Sequence, residues 1–266
     1  MKLEVSGGNF KFKKSDFILK DINFSLEDSD VLSILGPNGV GKTTLIRCLT
    51  GLLPWTSGGT FLDGENISSI KERELWSKIS YIPQKRSSAF AYTGLEMVLF
   101  GSTSSMSIFE KPRDKDLRRA EEVMKSIGIY HLRDKASDQM SGGEVQMLLI
   151  ARSLMKDPQI IILDEPESGL DYKNQMVILN LIKSLAESGV IIVMNTHYPD
   201  HALSISNKCL LLNYDKTYEF GPTRQVLTRE NLKKSFSVDV SISEFQIDGK
   251  TYERIIPLEI EDENLK

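Results

Sequence analysis

Gly36-Pro37-Asn38-Gly39-Val40-Gly41-Lys42-Thr43 decides how this chain is read. It has the spacing G-x-x-x-x-G-K-[ST] of a phosphate-binding loop. Before it, Val31-Leu32-Ser33-Ile34-Leu35 is a short, mostly apolar run that suits a parallel strand buried on both faces. After it, Thr44-Leu45-Ile46-Arg47-Cys48-Leu49 continues as a helix that Gly51 and Pro54 end. Strand, glycine loop and helix together form a cradle. In it the glycines let the chain wrap closely, so that backbone N–H groups of Gly36, Asn38, Gly39, Val40, Gly41 and Thr44 can turn toward phosphate oxygens, while Pro37, which has no N–H, shapes the turn. The helix N-terminus adds its partial positive charge. Lys42 supplies a point charge for the β- and γ-phosphates, and the Thr43 hydroxyl is placed to ligate Mg²⁺.

Composition sets the outer limits. The 266 residues suit one large domain, or a core with a sub-domain. The 40% hydrophobic and 26% charged residues are those of a globular chain. A net charge of −4 gives no sign of the basic balance expected of a nucleic-acid binder. No run approaches the ~18 apolar residues of a membrane span. Met1-Lys2-Leu3-Glu4-Val5 alternates like a strand, without a signal-peptide core. The chain is therefore expected on the cytosolic side, reaching a membrane only through a protein partner. Cys48 and Cys209 read as small buried hydrophobes, without disulfide or metal spacing.

Outward from the loop, residues 1–30 hold short alternating runs such as Phe10-Lys11-Phe12 and Ile22-Asn23-Phe24-Ser25-Leu26, an antiparallel β region. Ile79-Ser80-Tyr81-Ile82-Pro83 is a second core strand with Gln84 at its C-terminal end. From about residue 85 helical periodicity takes over. Leu117, Ala120, Val123, Met124 and Ile127 share one face, and Gly128 stops that helix. Ser141-Gly142-Gly143-Glu144 opens another helix, with Ser141 and Glu144 at capping-box spacing. Two glycines in a first turn cost helix stability, so something is expected to approach that backbone closely. Ile160-Ile161-Ile162-Leu163 is an apolar strand ending in Asp164-Glu165-Pro166. Two carboxylates directly after a buried strand call for a cation or a proton to handle. Residues 173–187 are amphipathic, with Met176, Leu179, Ile182 and Leu185 inward. A last core strand, 190–194, leads into Asn195-Thr196-His197-Tyr198-Pro199. Residues 244–252 carry an Asp-Gly turn and read as a hairpin, with a mobile acidic tail after Leu258.

With these motifs in order, the sequence resembles the ATP-binding cassette ATPases over roughly its first 230 residues. The phosphate loop corresponds to Walker A and Gln84 to the Q-loop. Met140-Ser141-Gly142-Gly143-Glu144 corresponds to the signature. Residues 160–166 correspond to Walker B, with Glu165 as the catalytic glutamate. Ser168-Gly169-Leu170-Asp171 corresponds to the D-loop and His197 to the switch histidine. Phe12 falls where the family stacks an aromatic on adenine. Met140 replaces the usual Leu, Gly169 the usual Ala or His, and Ser29-Asp30 lacks a glycine; no catalytic group is lost.

The resemblance implies an α/β fold: a phosphate-loop (RecA-like) ATPase core with an antiparallel β subdomain and an inserted helical subdomain. On this reading the nucleotide-binding core is 1–84 and 158–230. The helical subdomain is 85–157, and 231–266 is a C-terminal extension with a hairpin and mobile tail. ATP and Mg²⁺ are the implied cofactors. Lys42, Gln84, Glu165 and His197 would be catalytic, and Thr43, Gln84 and Asp164 would bind the metal. Phe12, residues 36–44, Ser141, Gly142, Gly143, Glu144 and Asp171 would hold nucleotide. Asp164 serves the metal and Glu165 polarises the water, because neighbours on an extended strand end point different ways. The implied partners are a second copy, head to tail, and an integral membrane permease at the cytoplasmic face of the cell membrane, docked around residues 86–100. Nucleic acid is not an expected partner. No cluster has metal-ligand spacing, so direct cargo binding is not expected either.

His197-Tyr198-Pro199-Asp200-His201-Ala202, residues 221–228 and Val238-Asp239-Val240 resemble importer subunits for ferric siderophores, haem and cobalamin. The leading expectation is the ATPase subunit of such an importer. The alternative is a soluble cassette ATPase acting as an assembly or regulatory factor. His131 and His201 fit no motif and read as surface or structural residues, and Trp55 and Trp76 as packing.

Overall fold

The computed structural model describes residues 1–13, 15–84, 91–102 and 113–260. Strands β1 (Lys2–Phe10) and β2 (Leu19–Glu27) pair antiparallel, with Leu3 opposite Leu26 and Val5 opposite Phe24. Their period-two alternation buries Leu3, Val5, Ile22, Phe24 and Leu26 against the core. β1 ends at Phe10, so Phe12, expected within that run, lies past the end of the strand. Every residue of β3 (Val31–Leu35) is buried, as in a strand covered on both faces. The phosphate loop follows, then α1 (Lys42–Leu49). β4 (Ser57–Leu62) and β5 (Glu65–Asn66) complete a four-stranded sheet in the order β2-β1-β4-β5.

α2 (Glu72–Lys78) leads into β6 (Ile79–Ile82). The helices α3 (Gly94–Leu99), α4 (Asp114–Ser126) and α5 (Gly142–Leu154) come next. Val98, Ala120, Val123, Met124, Leu148 and Ile150 are buried together, in a core continuous with one face of the main sheet. α4 buries the face read from its spacing, with Leu117 and Ile127 at the margin. The main sheet resumes with β7 (Ile160–Asp164), α6 (Tyr172–Glu187), β8 (Ile191–Asn195), α7 (Pro199–Ile205), β9 (Lys208–Leu212) and β10 (Tyr218–Pro222). Its order is β10-β9-β3-β8-β7-β6, parallel throughout except for β10. One correction falls on α6. Ile178, Leu179, Ile182 and Ala186 face inward, whereas Met176 is 54% exposed. At 3.6 residues per turn Met176 lies roughly a third of a turn off that stripe.

The chain closes with α8 (Thr223–Val226), α9 (Arg229–Phe236) and a ribbon of β11 (Val238–Ile247) and β12 (Lys250–Ile260). Asp248 and Gly249 both have positive φ, 49° and 72°, as a tight two-residue hairpin turn requires. The ribbon is longer than the sequence indicates. Glu259 and Ile260, expected in a mobile tail, lie in β12, and 261–266 fall outside the described residues. Val240 and Ile255 anchor the ribbon in a core with Leu35, Ala202 and Leu211. Ile255 N–H also donates to Asp200 of α7 at 2.9 Å. Among the described residues no helix is long and apolar enough to cross a membrane. The C-terminal ends of β3, β6, β7 and β8 lie along one sheet edge, which brings the phosphate loop, Gln84, Asp164 and His197 together.

Candidate active site

The phosphate loop leaves β3 at Gly36, whose φ is +142°. A Cβ there would come within 2.6 Å of the Leu212 carbonyl oxygen, so the close pass against β9 admits only glycine. Lys42 opens α1 and is almost fully buried. Its Nζ donates to the carbonyl oxygens of Gly36 (2.6 Å) and Pro37 (3.0 Å), so the cation sits under its own loop. Burial pushes the Lys42 ammonium below the ordinary lysine range, and the nearby charges of Glu165 and Asp164 oppose that shift.

Asp164 ends β7 and is held from three sides. Its Oδ1 accepts from Asn195 Nδ2 at 2.6 Å and from Thr43 Oγ1 at 3.5 Å. Its Oδ2 accepts from the Tyr81 hydroxyl at 3.2 Å. Burial, with the Asp164 charge second, raises the Tyr81 phenol to about 12, so Tyr81 stays a donor. Glu165 diverges from Asp164 because it leaves the strand altogether, with φ of +50°, not because strand neighbours alternate. Asn195 Oδ1 accepts the Glu165 N–H at 2.6 Å, so one buried amide orients both acidic residues. Among the described residues each Glu165 oxygen has one partner: Gln84 Nε2 donates to Oε2 at 2.7 Å, and His197 Nε2 lies 2.5 Å from Oε1.

Thus Lys42, Thr43, Gln84, Asp164, Glu165 and His197 converge. Asn195 and Tyr81 join them without having been singled out in the sequence. For Asn195 a signal existed, a fully buried amide closing an otherwise apolar strand. Phe12 is 49% exposed and stands edge-on to Phe10, their ring centroids 5.0 Å apart. The signature residues lie apart. Ser141 and Glu144 form a reciprocal capping box, and Lys135 holds the Glu144 carboxylate at 2.8 Å. A Cβ on Gly143 would lie 2.4 Å from Asn174 Cγ, so α6 is what approaches that backbone. Asp171 caps α6 by accepting from Asn174 N–H at 2.8 Å. Among the described residues no hydrogen bond from 141–144 reaches 36–44.

A buried lysine in a glycine cradle, with two carboxylates at the C-terminal end of β7 two strands along the same sheet, defines a phosphate-loop ATPase. Residues 19–168 match the ABC transporter family. The molybdate import ATP-binding protein MolC of Haemophilus influenzae is 34% identical over 257 residues, 96% of each chain. A probable iron chelatin transport ATP-binding protein of Helicobacter pylori is 34% identical over 87% of this chain and 91% of its own. A solved structure of an inward-facing metal-chelate type ABC transporter superposes with a TM-score of 0.87 at 32% identity, covering 99% of both chains. The chain belongs to the ABC transporter family, as an ATP-binding subunit that hydrolyses ATP.

Proposed function

We propose that this chain drives a membrane importer for a metal complex: an iron chelate (siderophore or haem) or cobalamin. The observation that carries the ATPase part is the meeting of Lys42, Gln84, Asp164, Glu165 and His197 at one sheet edge. The iron chelatin and metal-chelate relatives support the cargo class. The molybdate-import relative, similar over 96% of the chain, favours a second reading, a metal oxyanion. Co-purification with a polytopic membrane protein, then uptake of ferric siderophore, haem, cobalamin and molybdate by the reconstituted pair, separates these readings. Failure to recover any such membrane partner would instead favour a soluble assembly factor.

In the proposed reaction the γ-phosphate of ATP lies in the 36–44 cradle and adenine stacks on Phe12. Lys42 exchanges the Gly36 and Pro37 carbonyls for phosphate oxygens. Thr43 Oγ1 and Asp164 Oδ1, 3.5 Å apart, are hard oxygen donors of the kind Mg²⁺ takes, and with Gln84 they would hold it. When bound, Mg²⁺ neutralises charge on the β- and γ-phosphates. The water oxygen bonds to the γ-phosphorus as the bond from that phosphorus to the β,γ-bridging oxygen breaks, leaving ADP and phosphate. Glu165 takes the proton of the attacking water, and His197, already against it, orients that water.

We further infer a head-to-tail pair of copies. Ser141, Gly142 and Gly143 open α5, whose first-turn N–H groups and dipole favour an anion, yet among the described residues no hydrogen bond joins them to this chain's own phosphate loop. A twofold-related copy supplies it. The 89% exposed Tyr172, beside Asp171, would be covered in that pair. Light scattering should find a monomer without nucleotide, a dimer for Glu165→Gln with MgATP, and no dimer once Ser141→Arg is added. A dimer that forms without nucleotide would rule this out.

The permease contact is better sought in the groove of about 720 Å³ between α2, β6 and α5 than along 86–100. Leu95, Met97, Val98 and Leu99 pack into the helical core, and 85–90 lie outside the described residues. Leu52, Trp76 and Leu149 line the groove together with Arg73, Arg152 and Lys156, which outnumber its one carboxylate, Glu72, and this suits an apolar segment carrying acidic groups. Arg152→Glu with Lys156→Glu should lower permease co-purification at least about tenfold and leave basal ATPase intact. Undiminished co-purification would exclude this groove.

A further inference from the structure

Glu167, two residues beyond the catalytic glutamate, is 1% exposed. The equally buried Thr196 donates its hydroxyl proton to Glu167 Oε1. The same hydroxyl oxygen accepts the Tyr198 N–H at 3.0 Å. Thr196 therefore makes bonds on both sides of His197, and its own N–H is fixed to the Ile34 carbonyl of β3 at 3.1 Å. His201 brings Nδ1 to 3.4 Å from Glu167 Oε1, and its ring lies 4.7 Å from that of Tyr198. Glu167 Oε2 is buried without a hydrogen-bond partner among the described residues.

A carboxylate so enclosed and half satisfied is a poor device for stability, since a neutral side chain of similar size avoids the desolvation cost. Its geometry gives it another use. A threonine hydroxyl has one proton; once Glu167 accepts it, a lone pair is left facing Tyr198 N–H. The peptide group after His197 is thereby held while Thr196 itself is pinned to β3, and with them the ring that lies 2.5 Å from Glu165.

Resting on the active-site reading above, we propose that Glu167 is a positioning residue for hydrolysis, acting through Thr196 to hold His197 against Glu165. His201 restrains the same carboxylate from the first turn of α7. Thr196 and Glu167 bond to the segment around His197 and not to the phosphate loop, so their loss should fall on turnover and spare nucleotide affinity.

The test uses the full chain and measures kcat, KM and nucleotide Kd for Glu167→Ala, Glu167→Gln, Thr196→Val and their controls. Glu167→Ala and Thr196→Val should each lower kcat about 10- to 100-fold with Kd for MgATP unchanged. Glu167→Gln should recover most of the rate, because its amide oxygen still accepts from Thr196. The Glu167→Ala/Thr196→Val double variant should be no slower than the slower single variant. Additive losses, a glutamine variant as slow as the alanine one, or kcat within about twofold of the parent would overturn the proposal. If Glu167→Ala does not fold, Thr196→Val reads the same contact by removing only a hydroxyl. His197→Ala separates the two levels of the argument. An unchanged kcat there defeats the active-site reading itself. A slow His197→Ala beside fast Thr196→Val and Glu167→Ala defeats only the positioning role.

Discussion

Lys42→Ala is expected to remove ATP turnover, with kcat/KM down by at least about 10²- to 10³-fold, the scale seen when one preorganised donor is lost from a site of developing charge. The loss should exceed that of any other single change in the loop, because Lys42 is its only full positive charge and is already out of water. A buried ammonium is costly unless paired. Here two backbone carbonyls hold it, and Asp164 and Glu165 lie within electrostatic reach. Alanine leaves the carbonyls of Gly36 and Pro37 without that donor and the carboxylates without a countercharge, so nucleotide binding should weaken as well. Filter binding and steady-state hydrolysis check both halves. A variant with parental turnover would show that the phosphates do not bind in this loop.

Glu165→Gln is expected to separate binding from chemistry. The amide keeps the shape of the carboxylate and leaves the loop intact, so MgATP affinity should be retained. It cannot take a proton from water, and turnover should fall by about 10²- to 10⁴-fold, the usual worth of a general base. The exchange also alters one of the two contacts, to Gln84 or to His197, since an amide NH₂ can only donate where the carboxylate accepted. Single-turnover hydrolysis alongside equilibrium binding makes the comparison. Near-parental hydrolysis in this variant would move the base to another group, with His197 next to it in space.

The glycine loop, the two acidic residues after an apolar strand and the histidine after another were legible in the sequence because each lies at a fixed offset from a strand of unmistakable composition. What those offsets do not carry is direction. Glu165 looks like the next residue of an extended strand, and only the left-handed backbone there explains how it turns away from Asp164. Gly143 shows a similar limit. The cost of glycine in a first turn signals a close neighbour, but a neighbour from α6 cannot be told from a ligand until both helices are placed. Met176 was misplaced because a spacing of three fits two adjacent helical stripes, and the sheet selects the one through Ile178 and Ile182. The amide of Asn195 at the end of an apolar strand marks a buried polar residue, but its partners, like those of Glu167, lie about thirty residues away along the chain, at contacts that no local pattern encodes.

The strand order β10-β9-β3-β8-β7-β6 bears on how this protein is made. β3, which carries the phosphate loop, emerges early from the ribosome, but its two neighbours in the sheet are β8 and β9, where Val31 meets Ile192 and Leu32 meets Lys208. The Gly36 turn likewise takes its tight fit from Leu212. Until those late strands have been synthesised, the most nucleotide-specific stretch of the chain has no sheet to stand on. Such long-range pairing closes slowly and leaves apolar strands uncovered while it waits. Nascent chains halted before β8 therefore lack the catalytic cradle and expose the apolar β3 to whatever chaperones attend the ribosome.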